Sequence, residues 1–311
     1  MNIISRIKNY LISRDQVTRD LIRQRSRRIE RELQFFVRSE RLKDYIYKCK
    51  DLGVSDEKYC EQEVIVSLTT HGKRLYDAAT TIESVMQGSM RPNRIVLWLG
   101  EELKDEELPI SLQLQQKRGL QIEYCKDIRS YTKLVPALRK YPNEIIITID
   151  DDLVYEPDLI ENLFRTYKAN PSCICANRIH EIVLGEEGKP VEYLKWRLNA
   201  YPKAASPLNF FTGAGGVLYP PHSLDEEVFN EEVFLNICKY ADDIWFFAMA
   251  KKKGTDIIKS FTHSSRGEDY VENLNVQDVG LKLVNYDGEH LNDIQFEKVF
   301  TFYDLYSLLD K

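Results

Sequence analysis

The sequence predicts an α/β fold, in which helices flank a mixed, mostly parallel sheet and a helical extension precedes it. From residue 64 onward, short apolar runs alternate with helical stretches, the order typical of a mostly parallel sheet. These runs are apolar at consecutive positions, as in strands that are buried on both faces. Residues 1–50 contain no Pro or Gly and many Arg, Glu and Leu, which favours a helix.

The individual elements follow from local patterns along the chain. Four apolar runs predict the first strands: VIVSL (64–68), RIVLWL (94–99), LQIEY (120–124) and EIIITI (144–149). Helical spacing predicts helices through Ile82, Val85 and Met86, near 107–118, over 133–140, over about 157–170, and over 231–253 with an interruption at YADD. TDIIKSF (255–261) predicts a late strand, and a terminal helix follows.

This order predicts three segments. We expect a basic helical N-terminal extension (1–55), an α/β domain that carries the functional site (62–265), and a C-terminal segment (266–311) that packs on or near that site.

The charge of the chain is unevenly distributed. The 311 residues have a formal net charge of -6, yet residues 1–28 carry eight Lys or Arg against two acids. The net negative charge argues against a general nucleic-acid-binding protein, and its uneven distribution indicates a basic N-terminal segment on an acidic body. The basic N-terminal extension carries apolar residues at helical spacing: Ile3, Ile4, Ile7 and Leu11. Its helix therefore either lies on an anionic membrane surface or packs on the α/β domain or on a second subunit.

Other composition features bear on location. No apolar run approaches the roughly 20 residues of a membrane span, and the N-terminus lacks the apolar core of a signal peptide. We therefore expect a cytoplasmic protein, which would be peripheral on the inner membrane face if its basic N-terminal helix lies on lipid. The six cysteines form no CxxC pair, and we expect free thiols.

Three consecutive acids, Asp150, Asp151 and Asp152, end the strand in NEIIITIDDDLVYEP. Ligands of parallel sheets bind beyond the carboxyl ends of the strands. A divalent cation there would cancel the repulsion, because Mg²⁺ or Mn²⁺ takes carboxylate oxygens together with substrate phosphates. In an extended chain Asp150 and Asp152 would project to the same side. The alternative is a cluster that caps the following helix, although Asp158 behind Pro157 already suits that role.

A wider set of motifs accompanies the triplet. VSLTTHGKRL, TIESVMQGSMRPNRIVLWLG, IITIDDDLVYEPDLI, FTGAGGVLYPP and YADDIWFFAMAKKKG occur in this order over roughly residues 62–260. Together they resemble the GT-A-fold nucleotide-sugar glycosyltransferases of bacterial polysaccharide and lipopolysaccharide biosynthesis. The resemblance implies a Mn²⁺- or Mg²⁺-dependent enzyme that moves a sugar, with inversion, from a nucleoside-diphosphate donor (UDP favoured) to a hydroxyl of a glycan or lipid-linked glycan acceptor.

The resemblance also implies roles for individual residues. The groups that would bind the donor nucleotide are Thr69, Thr70, Arg74, Asp127, Lys133, Asp150 and Asp151. Asp150, Asp152 and His263 would hold the metal, with His290 as a second candidate and weaker claims for His71 and His180. The loop of Gly213, Ala214, Gly215 and Gly216 would border sugar and acceptor, together with Trp245. Asp242 and Asp243 would be the catalytic pair; we expect Asp243 to be the general base and Asp242 to bond to the acceptor, and the resemblance leaves the reverse assignment open.

Simpler interpretations stay open for several of these residues. Arg74 could be an exposed cation at the start of a helix, and Trp245 could pack in the hydrophobic core. The glycine loop could be a tight bend in a strand. Two acids at the start of a helix suit its dipole without catalysis.

Two rival functions also remain. A sugar nucleotidyltransferase would need a glycine-rich loop after the first strand, where TTHGKRL has a single glycine. A non-catalytic, membrane-associated scaffold would use the acidic rim for a structural cation.

Overall fold

The computed structural model describes residues 3–186, 188–264, 267–273 and 291–309, with backbone only for residues 3–17, 24 and 27. Its α-helices are α1 (Ile3–Lys48), α2 (Ala78–Met86), α3 (Ile110–Gln116), α4 (Val135–Lys140), α5 (Leu159–Ala169), α6 (Glu231–Ile237), α7 (Asp242–Lys253) and α8 (Leu291–Phe302). Its strands are β1 (Val64–Thr69), β2 (Arg94–Gly100), β3 (Leu120–Cys125), β4 (Ile145–Thr148), β5 (Leu153–Tyr155), β6 (Ile174–Ala176), β7 (Ile179–Glu181), β8 (Arg197–Ala200), β9 (Asn209–Phe211), β10 (Val217–Tyr219), β11 (Ile257–Lys259) and β12 (Tyr270–Glu272).

Seven strands form the main sheet in the order β11-β6-β10-β4-β1-β2-β3. The pairs β1–β2, β1–β4, β2–β3 and β6–β11 are parallel, whereas β10 runs antiparallel to both β4 and β6. The predicted fold class is therefore confirmed: a mixed, mostly parallel sheet with an N-terminal helix. The carboxyl ends of β1 and β4 meet at one rim, where the acidic triplet begins.

Helices cover both faces of the sheet, which explains why its strands are apolar at consecutive positions. On one face, Ile82 of α2 and Leu163 of α5 pack in the core that contains Val66 of β1. On the other face, Trp245 of α7 and Phe300 of α8 pack in the core that contains Ile65 of β1. Burial of both side-chain sets of β1 fixes its register against its neighbours.

The N-terminal helix α1 is 46 residues long, which corresponds to ~70 Å at 1.5 Å per residue. Its C-terminal part contacts the body: Ile46 and Ser39 are buried. The Arg38 guanidinium donates to the Tyr155 carbonyl at 2.7 Å and forms an ion pair with Glu156. The predicted stripe of Ile3, Ile4, Ile7 and Leu11 lies outside the described side chains.

The C-terminal segment also contributes to the body. Strand β12 pairs with β5, which directly follows the triplet, and α8 contacts α7. The segment boundaries near residues 55, 62 and 265 stay predictions. Within the described residues, none of the helices combines the length and the apolar character that a membrane crossing requires. All six cysteines are free thiols, and two of them, Cys175 and Cys238, are buried.

Candidate active site

The acidic triplet lies in a turn between two strands. Strand β4 ends at Thr148, Asp151 and Asp152 occupy a turn, and β5 starts at Leu153. The chain does not stay extended through the triplet, so the alternation that would place Asp150 and Asp152 on the same side does not apply here. Instead, Asp151 and Asp152 share one partner, whereas Asp150 pairs with another.

Arg74 is the shared partner of Asp151 and Asp152. Its Nη1 lies 2.9 Å from Asp151 Oδ1, and its Nη2 lies 3.1 Å from Asp152 Oδ2. The Thr70 hydroxyl donates to the second oxygen of Asp151 at 2.6 Å. Burial raises the pKa of Asp151, and Arg74 and Thr70 oppose that rise. The loop after β1 thus offsets part of the negative charge of the turn. Arg74 is not the exposed helix-start cation of the simpler interpretation, because its side chain is 12% exposed.

Lys133 links the triplet to the late acidic pair. Its Nζ lies 2.8 Å from Asp150 Oδ1 and 3.1 Å from Asp242 Oδ2. Burial lowers the pKa of Lys133, but the charges of Asp150, Asp242 and Asp243 outweigh it and raise the pKa well above its ordinary value. Lys133 therefore carries a positive charge between two carboxylates that lie 92 residues apart in the sequence.

Asp243 faces the glycine loop. The Gly213 N–H donates to Asp243 Oδ2 at 3.0 Å and to Oδ1 at 3.1 Å. A Cβ at residue 213 would lie 2.7 Å from Lys133 Nζ and 3.1 Å from Asp243 Oδ1, so only glycine fits without displacing them. Burial, and then the charge of Asp242, raise the pKa of Asp243 to about 7. Asp243 nevertheless keeps part of its surface exposed.

Tyr155 connects the triplet to the glycine loop, a role that sequence reasoning missed. Its hydroxyl accepts from the Asp150 N–H at 3.0 Å and donates to the Ala214 carbonyl at 3.1 Å. The side chain is buried and lies in β5. The sequence of β5, Leu-Val-Tyr, contains no signal that would distinguish this tyrosine from an ordinary strand residue. Gly216 closes the loop with a φ of +86°, a conformation that favours glycine.

His263 and Asp158 have different partners from those expected. His263 Nε2 lies 2.7 Å from Asp158 Oδ2, which raises the pKa of His263. The expected metal role of His263 gains no support from this pairing. Asp158 precedes α5 but its side chain caps no backbone N–H, because it bonds to His263 instead. His290 lies outside the described residues.

Trp245 belongs to the core rather than to the sugar site. Its side chain is fully buried, and it forms edge contacts with Phe234 and Tyr303. The expectation that it borders the acceptor was wrong, because the apolar side of α7 packs inward.

Two predicted donor-binding residues have local partners. The Thr69 hydroxyl donates to the Trp98 carbonyl at 3.0 Å, and Asp127 accepts from the Arg129 N–H at 2.7 Å. Their roles toward a nucleotide stay predictions. His71 is exposed, and burial lowers the pKa of His180 to about 3, so His180 is neutral.

The donor set of the rim fits a divalent cation only in part. Within the described residues, no group of three or more His, Cys, Asp or Glu could hold a metal ion. Four carboxylates (Asp150, Asp151, Asp152 and Asp242) form ion pairs with Arg74 or Lys133, and the charge of Asp243 also acts on Lys133. Five carboxylates against these two cations leave three negative charges in excess when all are ionised. Mg²⁺-type sites often use one or two carboxylates and complete the shell with phosphates and water. The residues therefore fit a metal that arrives with its substrate, rather than an all-protein cage.

Comparisons with known proteins give distant structural similarities. No protein-family model and no curated protein matches the chain. A mannosyltransferase from Pyrobaculum calidifontis in complex with GDP-Man and Mn²⁺ has a TM-score of 0.40 at 15% identity, over 74% of this chain and 62% of its own. A CMP:2-keto-3-deoxy-manno-octonic acid synthetase complexed with CTP has 0.39 at 14% identity, over 64% and 89%.

A cytidylyltransferase from Leptospira borgpetersenii serovar Hardjo-bovis has a TM-score of 0.41 at 10% identity, over 81% of this chain and 97% of its own. For the mannosyltransferase, the matched region covers 62% of its chain, which is less than two thirds of its length.

Proposed function

We propose that the chain is a metal-dependent glycosyltransferase that moves a sugar from a nucleoside-diphosphate donor, with UDP favoured, to a hydroxyl of a glycan or lipid-linked glycan. The observation that carries the proposal is the position of Asp243. Asp243 is a partly exposed residue, its carboxyl has a pKa of about 7, and Gly213 holds it beside the Lys133–Asp150 pair. A carboxylate with this pKa accepts a proton at neutral pH.

The donor half of the site is the rim around the triplet. Asp150 and Asp152 would hold Mn²⁺ or Mg²⁺, which when bound supplies positive charge to the departing diphosphate. Lys133 contributes a second positive charge next to Asp150. Thr70 and Arg74 would act through Asp151 and Asp152, whose side chains they hold. This preorganisation costs no rearrangement when charge develops.

The acceptor half is the α7 end of the site. Asp243 would take the proton of the acceptor hydroxyl as its oxygen attacks the anomeric carbon from the face opposite the diphosphate. A new glycosidic bond forms, the bond from the anomeric carbon to the diphosphate oxygen breaks, and the nucleoside diphosphate leaves with the electron pair. The anomeric configuration inverts. Asp242 and Lys133 position this carboxylate electrostatically.

A nucleotide panel tests the proposal. Thermal unfolding is followed with UDP, GDP or CMP, each with and without Mn²⁺. We expect one nucleoside diphosphate to raise the melting temperature only when Mn²⁺ is present. At a ligand concentration of 100 times Kd, the free energy of unfolding should increase by about 2.7 kcal/mol. Asp152→Ala should abolish this shift. The exposed Asp105 provides a matched control, and Asp105→Ala should keep it.

The same preparation separates the rival functions. Sugar transfer is followed as release of nucleoside diphosphate, whereas a sugar nucleotidyltransferase releases pyrophosphate from a nucleoside triphosphate and a sugar phosphate. Pyrophosphate release that requires Asp152 would replace our proposal with the nucleotidyltransferase. Stabilisation by Mn²⁺ alone, with no further effect of any nucleotide, would instead favour the scaffold with a structural cation.

A further inference from the structure

The long helix α1 exposes an apolar stripe before it reaches the body. Ile22, Ile29, Leu33 and Phe36 are separated by seven, four and three residues and so lie on one face. Each of them is between 59% and 63% exposed. Every described side chain from residue 18 to residue 34 is exposed. Four large exposed apolar side chains on one face of a helix favour an interaction surface over scattered surface residues.

The part of α1 that contacts the body uses a different face. Ser39 and Ile46, seven residues apart, are buried, whereas Phe36 on the stripe is 61% exposed. Arg38 ties this end to the Tyr155 carbonyl. The stripe is therefore not covered by the described parts of the body.

The charge around the stripe favours an anionic occupant. Residues 18–37 contain six arginines and three acids, a net charge of +3. Arg19, Arg23 and Arg25 are exposed beside the N-terminal half of the stripe. Long arginine side chains can keep their charge in the headgroup region while apolar neighbours insert below it.

A second copy of the helix fits this face poorly. A coiled-coil seam through Ile22, Ile29 and Phe36 would also place Arg19, Ser26 and Glu40 in the core positions. In a dimer, the net positive charge of residues 18–37 would also face itself and repel.

We propose that residues 18–37 of α1 bind the surface of anionic phospholipid bilayers, with Ile22, Ile29, Leu33 and Phe36 in the interface. The occupant is a phospholipid surface rather than a second protein. Because Arg38 joins the helix to the strand that follows the acidic triplet, bound lipid would bring the candidate active site close to the membrane. This inference does not depend on sugar transfer, and its test needs no substrate.

The test is co-sedimentation of the full chain with vesicles of phosphatidylcholine, alone or mixed equally with phosphatidylglycerol, at low and high salt. We expect binding to the mixed vesicles, weakened by salt. Ile29→Glu should lower the partition coefficient about tenfold or more, because it replaces an apolar side chain that would insert into the bilayer interface with a charged one. Ile110 of α3 is a matched control at 62% exposure, and Ile110→Glu should bind as the wild type does.

A second variant, Arg23→Gln with Arg25→Gln, tests the charge without touching the stripe. We expect it to lose the preference for phosphatidylglycerol, which keeps the test decisive if Ile29→Glu folds poorly. Equal binding to neutral vesicles, or full binding by either variant, would overturn the proposal. So would a dimer in solution that Ile29→Glu dissociates while the wild type ignores vesicles.

Discussion

Asp243→Asn is expected to lower kcat for sugar transfer by about 10² to 10⁴, the range that a general base contributes. The amide is nearly isosteric with the carboxylate, and its oxygen can still accept from the Gly213 N–H. It cannot accept the proton of an attacking hydroxyl. The Kd for the nucleotide with Mn²⁺, measured by calorimetry, should stay unchanged because the donor rim is intact.

The pH profile separates this role from a purely structural one. Asp243 acts as a base only when it is ionised, so kcat/KM should fall as pH drops below about 7 rather than below about 4. The charge of Asp242 helps to raise the pKa of Asp243, so Asp242→Asn should move this acid limb to lower pH. An acid limb unchanged in Asp242→Asn, or an Asp243→Asn variant with wild-type kcat, would exclude Asp243 as the base.

Lys133→Met is expected to destabilise the fold by about 3–5 kcal/mol, the cost of removing one partner from a buried ion pair. The Lys133 side chain is 9% exposed and lies between Asp150 and Asp242. Methionine fills a similar volume but leaves these carboxylates without their cation. Chemical denaturation at pH 7 measures the loss. Lys252→Met is the control, since Lys252 pairs with Asp225 at a more exposed position and should cost about 1 kcal/mol or less.

The destabilisation should also grow with pH. Lys133 lowers the pKa of Asp243, so its removal raises that pKa above about 7. A carboxyl with a raised pKa in the folded state binds its proton more tightly when folded, so stability is lost as pH rises toward that pKa. In the wild type this loss is complete near pH 7, whereas in Lys133→Met it continues above pH 7. A constant difference between the two proteins from pH 6 to pH 9 would contradict the proposed coupling.

The fold was predictable because it depends on local and periodic signals. The four apolar runs became β1, β2, β3 and β4, and the interruption at YADD became the break between α6 and α7. Burial on both faces of the sheet leaves a clear pattern in each strand.

The arrangement of the site was less predictable, because it depends on contacts between distant segments. The sequence singled out Asp150, Lys133 and Asp242, but not that one ammonium joins them. The turn at Asp151 could not be anticipated from alternation, which assumes an extended chain. Trp245 shows the same limit. A tryptophan can stack on a sugar or pack in a hydrophobic core, and only the packing of α7 shows that Trp245 lies in the core.

Anomalous diffraction from a crystal grown with Mn²⁺ and the stabilising nucleoside diphosphate tests the divalent-cation proposal most directly. We expect one manganese peak that is coordinated by Asp150, Asp152 and the diphosphate oxygens. A nucleotide bound at this rim with no manganese peak beside Asp150 and Asp152 would contradict it.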